Sequence, residues 1–195
     1  MLRLITVHDL QGSKSLVRIL CFLARFLGAD AVVLLGNTVS PTIIEWLSSS
    51  CRVRVMGILG SYDNASVAVA LNRIGGLAEC KLIKHGELKL LGIGLSSCPD
   101  AYLEEVDIVV SSLPGLEYTC CRACSDVVDS AIKRLKPRLV VTGTCKKPCF
   151  NQEKSVFSPG SLRLGFLGLV ELSESGEIRA HALNVESTIA ELCKY

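Results

Sequence analysis

Residues 2–37, LRLITVHDLQGSKSLVRILCFLARFLGADAVVLLGN, decide the fold. Leu2 to Val7 is a short apolar run rich in β-branched residues and reads as a buried strand. From Ser13 to Leu27 the period changes. Leu16, Ile19, Leu20, Leu23 and Phe26 recur on one side of a helix, and Gly28 stands where a helix is closed by a glycine. Ala31 to Leu35 is a second buried strand. Strand, helix, strand over some thirty residues is a βαβ unit, which builds a parallel sheet.

The same alternation continues outward. Ser40-Pro41 opens a helix to about Ser49, Arg52 to Ile58 is a strand, and Asn64 caps a helix through Ile74 that Gly75-Gly76 ends. Lys81 to His85 and Glu87 to Ile93 flank Gly86 as a hairpin. Val106 to Ser111 is a parallel-type strand, Ser125 to Leu135 a helix stopped before Pro137, and Arg138 to Thr142 a strand. The tail carries two longer strands, Leu162 to Leu172 and Glu177 to Asn184, around the turn 173–176. Parallel units first and antiparallel strands last predict two packed mixed β-sheets flanked by helices, in a single domain over residues 1–195.

Composition narrows the function classes. The chain has 195 residues, 49% hydrophobic and 21% charged, with a net charge of +2. A pI near 8.0 argues against a broad nucleic-acid surface. Leu16 to Leu35 is broken by Arg18, Arg25 and Asp30, so no stretch inserts in a membrane. The N-terminus shows no secretory cleavage pattern, and a cytoplasmic location is expected. Ten cysteines, with glutamine only at 11 and 152 and methionine only at 1 and 56, point toward a thermophile.

Chemistry in an open α/β sheet gathers beyond the carboxyl ends of its strands. Those loops are His8-Asp9-Leu10-Gln11-Gly12-Ser13, Gly36-Asn37-Thr38, Gly60-Ser61-Tyr62-Asp63-Asn64, Ser111-Ser112-Leu113-Pro114-Gly115, Gly143-Thr144-Cys145-Lys146 and Ser158-Pro159-Gly160-Ser161. In this order and spacing they resemble the calcineurin-like metallophosphoesterase family, whose pattern is D-x-H, G-D, G-N-x-D/E, an isolated His, G-H-x-H and N-P-G-S. The resemblance implies a four-layer α/β sandwich. It also implies two metal ions bridged by an aspartate, which generate a hydroxide nucleophile and hold phosphoryl oxygens.

Position by position the pattern is degenerate. Asp9 keeps the first aspartate and Asp63 the acidic end of its motif. Gln11, Asn37, Ser61, Ser112, Thr144, Lys146 and Ser158 stand where the family carries metal ligands. One surviving first-loop acid beside a lysine offers two cations little negative charge, so no dinuclear centre and no confident catalytic residue are expected. Lys146 is a candidate replacement for metal charge, paired with Asp9 or Asp63, or else a solvated lysine beside Lys147. Asp9 is otherwise an acid that caps the helix starting near Ser13. His8 is expected to be a packed, hydrogen-bonded neighbour.

Three functions compete. The first is a non-catalytic scaffold, regulator or binding protein acting on another protein, as the retromer subunit of this fold does. The second is a metal-dependent phosphoesterase with an atypical site using Asp9, Asp63, His8 and one metal. The third is an anion or nucleotide binder without hydrolysis, using Gly12, Ser13, Lys146 and Lys147. Separately, Cys121, Cys124, Cys145 and Cys149 have knuckle-like spacing. Zinc or an iron–sulfur cluster, structural disulfides and free thiols are all open for them. Cys21 and Cys51 read as small core residues, and Trp46 as a packing residue or, if exposed, a partner anchor.

Overall fold

A computed structural model of the chain describes residues 1–85, 88–94, 98, 105–117, 121, 123–173 and 175–192. The opening βαβ units form as the residue pattern dictates: β1 (Leu2–Val7), α1 (Lys14–Phe26), β2 (Ala31–Leu34), α2 (Pro41–Ser50), β3 (Arg54–Gly57) and α3 (Ala65–Arg73). Ser13 caps α1, its hydroxyl accepting from the Leu16 N–H at 3.4 Å. Asn64 caps α3 by accepting from the Ser66 N–H at 3.0 Å. Gly28 closes α1 at φ +62°, a conformation a side chain would resist.

Next come β4 (Leu82–His85), β5 (Leu88–Ile93), β6 (Ile108–Ser111), α4 (Asp126–Leu135), β7 (Leu139–Thr142), β8 (Cys149–Asn151) and β9 (Val156–Ser158). The chain ends in β10 (Phe166–Leu172), β11 (Ile178–Asn184) and α5 (Val185–Leu192). One sheet has the order β11-β10-β1-β2-β3, the other β4-β5-β6-β7-β9-β8. Strands β1, β2 and β3 are parallel, and β10 runs antiparallel to β1 with Leu4 opposite Val170.

Alternation along each strand sorts the core into three layers. Ile5, Val7, Val32 and Leu34 face α1 to α3. Leu4, Val33 and Met56 meet Val110, Val141 and Phe157 between the sheets. Val109 and Val140 face Val128 and Ile132 of α4. Each such aliphatic side chain contributes about 1.5–3 kcal/mol by leaving water. The result is the expected helix–sheet–sheet–helix sandwich.

Three local expectations differ. Leu162–Leu164 is a 3₁₀ turn, not strand, because Gly165 turns left-handed at φ +81° and the strand starts only at Phe166. The three-residue strands β8 and β9 are too short to show a period. Helix α5 was not anticipated; Asn184 holds its start by accepting from the Ser187 N–H at 3.0 Å. The turn at Gly86 lies outside the described residues. Among those described, no helix is long and apolar enough to cross a membrane.

Candidate functional site

The loops after β1, β2 and β3 converge on Asn37. Its amide nitrogen donates to Asp9 Oδ1 at 3.0 Å and lies 3.2 Å from His8 Nε2, while its amide oxygen accepts from the Tyr62 N–H at 3.2 Å. One side chain therefore ties three loops together. Because His8 Nε2 receives the Asn37 donor, the imidazole proton sits on Nδ1, which lies 3.5 Å from Asp9 Oδ2 and has no hydrogen-bond partner among the described residues. Burial lowers the His8 pKa and outweighs the upward pull of Asp9 and Asp63. His8 is thus a packed, hydrogen-bonded neutral group, as its position suggested.

Burial would raise the Asp9 pKa, but the Asn37 hydrogen bond, with others from Ser161 and Gln11, holds the carboxyl below its ordinary range. Gln11 Nε2 donates to the same Asp9 Oδ1 at 3.2 Å. Asp63 is engaged on both oxygens: Oδ1 accepts from the Val39 N–H at 2.6 Å and Oδ2 from the Gly60 N–H at 2.8 Å. A Cβ on Gly36 would stand 2.6 Å from Gly60 Cα, so glycine at 36 lets the two loops touch. Asp9, Gln11, Asn37, Val39 and Thr144 all adopt positive φ, from 43° to 71°. Such strain in non-glycine residues collects at functional loops.

The second sheet supplies the facing rim. Ser111, Ser112, Thr142 and Ser158 are buried, and their hydroxyls have no hydrogen-bond partner among the described residues. Thr144 Oγ1 donates to the Ser112 carbonyl at 2.5 Å. The rims meet at Gly143, where a Cβ would lie 2.8 Å from His8 Cδ2. Ser61 is exposed and joins neither rim.

Several expected roles are corrected. Lys146 is exposed and pairs with neither Asp9 nor Asp63 among the described residues; amide and backbone N–H groups satisfy those acids instead. Lys147 is also exposed. The anion seat at Gly12 and Ser13 is closed, since these N–H groups donate to the Thr38 and Leu10 carbonyls at 2.9 and 3.0 Å. Ser13, not Asp9, caps α1. Arg163, which donates to Gln11 Oε1, was missed because it falls in a stretch read as strand.

The donor set does not fit a pair of divalent ions. Asp9 Oδ1 and both Asp63 oxygens already accept N–H groups, and Asn37 turns its nitrogen toward Asp9. Among the described residues no three His, Cys, Asp or Glu side chains gather as a metal group. The four-thiolate zinc arrangement is likewise not formed. Cys121 is joined to Cys145, Cys149 is disulfide-bonded, and Cys124 is an exposed free thiol. Sulfurs in disulfides are not thiolate ligands. Cys21 and Cys51, read as core thiols, are buried but joined to each other, and Cys80 pairs with Cys98.

No protein-family model and no curated protein sequence matches this chain. Solved structures do. A protein of Thermus thermophilus superposes with a TM-score of 0.70 at 15% identity, covering 94% of this chain and 98% of that one. An archaeal phosphodiesterase gives 0.63 at 14% identity over 93% of this chain and 100% of its own. The phosphoesterase Yfce of E. coli gives 0.54 at 14% identity over 94% and 100%. With two mixed sheets between helical layers and the loop skeleton in the same order, this chain has the fold of the calcineurin-like phosphoesterases.

Proposed function

We propose that this chain is a binding or regulatory protein built on the phosphoesterase fold, that it does not hydrolyse phosphate esters, and that it works in the cytoplasm through contact with another protein. One observation carries this reading: both Asp63 oxygens and the Oδ1 of Asp9 accept N–H groups of the chain itself. A hydrolytic centre needs several anionic or imidazole ligands to hold the cations that polarise the phosphoryl group. Here the two acids brace the loops. Neutral His8 adds no charge, and Lys146 stays in solvent.

The test is elemental analysis of reduced, tag-free protein, with the same sample assayed on a chromogenic phosphodiester with added manganese. No turnover is expected. Two first-row metals per chain with turnover would establish an atypical phosphoesterase instead. One zinc without turnover would point to the cysteines at 121, 124, 145 and 149 in reduced protein.

A further inference from the structure

The outer layer of the first sheet carries a groove unrelated to the loop site. It runs between α1 and α2, encloses about 550 Å³, and is lined by Lys14 and Arg18 on one wall and Thr42, Glu45, Trp46 and Ser49 on the other. Trp46 is the only tryptophan of the chain and is half-buried. The Arg18 guanidinium lies 5.5 Å from its ring centroid, a cation–π contact that holds both side chains at the groove wall.

The charge of this groove is one-sided. Lys14 and Arg18 are exposed and form no ion pair among the described residues. Glu45, the single acid of the lining, is neutralised by Arg73 at 2.8 Å. Neither α1 nor α2 has an acidic residue in its first turn, whereas α4 has Asp126 and Asp129 there. The starts of two parallel helices thus bring no acidic side chain to the Lys14–Thr42 mouth of the groove, and that of α2 has no side-chain cap. Beyond Arg18, one helical turn apart on the solvent side of α1, Phe22 and Phe26 are 51% and 56% exposed. Cations, an indole and two exposed phenyl rings along roughly four turns of helix make an elongated surface. A compact anion or nucleotide would leave the phenyl rings uncovered.

We infer that this groove docks an acidic segment of a partner protein, with carboxylates against Lys14 and Arg18 and an apolar side chain on Trp46 and Phe22. Tryptophan and arginine are the residues on which interface energy concentrates. Lysine and arginine facing acids set the attraction between partners and its salt dependence. This docking role rests on the non-hydrolytic reading above and gives it a surface and a class of partner.

The experiment uses the full chain. A displayed random-peptide library is selected on the wild type and counter-selected on Arg18→Glu, and the enriched peptides are titrated against Trp46 fluorescence. Acidic peptides bearing an aromatic or aliphatic residue are expected. Their affinity should fall at least about tenfold in Arg18→Glu and Lys14→Glu, and fall with added salt, while Asp9→Asn leaves it unchanged. Both charge reversals are at exposed positions, and an unchanged melting midpoint confirms their fold. Enrichment of neutral or basic peptides, no enrichment over Arg18→Glu, or equal affinity in that variant would overturn docking. So would ADP quenching Trp46 without any peptide bound, which would make the groove a nucleotide site. Peptide binding together with phosphodiester turnover would remove the non-hydrolytic reading and leave the groove standing. Absence of both would remove the groove alone.

Discussion

The two rims of the loop site occupy equivalent places on their sheets but are held by different forces. On the first sheet, Asn37 connects His8, Asp9 and the Tyr62 backbone, and Asp63 fastens Val39 and Gly60. On the second, Ser111, Thr142 and Ser158 end three neighbouring strands with their hydroxyls buried and unpaired. A network of paired side chains specifies a geometry, whereas a buried polar atom without a partner, the three hydroxyls here and His8 Nδ1 on the first rim alike, costs about 1–3 kcal/mol. The first rim is therefore a polar clamp, and the second stands on apolar packing, on the Thr144–Ser112 hydrogen bond and on the Cys121–Cys145 bridge. A loop skeleton can thus keep its shape after its ligands are gone, provided something else holds each loop.

This contrast can be broken in four ways. The clamp rests on a helical layer tied by Cys21–Cys51, which closes a loop of 30 residues. Replacing both by alanine should cost about 3–4 kcal/mol, read as a lower urea midpoint; an unchanged midpoint would show that the clamp stands unaided. Next, Asn37→Ala should cost about 2–3 kcal/mol, because it strips donors from a half-buried carboxylate. A loss within about 0.5 kcal/mol, the range of an ordinary surface change, would erase the difference between the rims.

Thr142→Val and Ser111→Ala should be neutral or gain up to about 1 kcal/mol, since each removes an unpaired hydroxyl. If either loses stability on that scale, the hydroxyls have partners and the second rim is polar too. The smallest effect is a slope with pH. The pKa values of His8 and Asp9 are both lowered in the folded chain, so their contributions are present at neutral pH and lost on acidification. For His8 the loss begins near its ordinary value of 6.5, and for Asp9 below 3.8. His8→Gln should flatten the urea midpoint between neutral pH and about pH 5, and an unaltered slope would remove His8 from the clamp's titration.

Most of the fold was legible because its long elements carry strong periods. The span Leu2–Val7 agrees to the residue, and Asn64 caps α3 as its type predicts. Elements of three residues, such as Cys149–Asn151, exist only through pairing with a neighbour and leave no period to read. The loops were placed correctly, but their internal wiring was not. Lys146 could be read as a charge partner of Asp9 or Asp63 or as a solvated lysine beside Lys147; it is the solvated lysine, and two amides hold Asp9 by hydrogen bonds. Nothing in a sequence tells which way an amide turns. Similarly, Cys21 and Cys51 sit 30 residues apart, and only the helix packing brings them together.

The order of strands in the first sheet also governs how the chain is made. Strand β1 is synthesised before any other element here, yet it lies in the sheet's interior, and the neighbour that covers its second edge, β10, starts only at Phe166. Through the synthesis of more than a hundred residues, the first strand keeps an unpaired edge of backbone N–H and C=O groups. On the ribosome that edge is a template for a neighbouring nascent chain, and a factor that shields it would raise the yield of folded protein without touching its final stability.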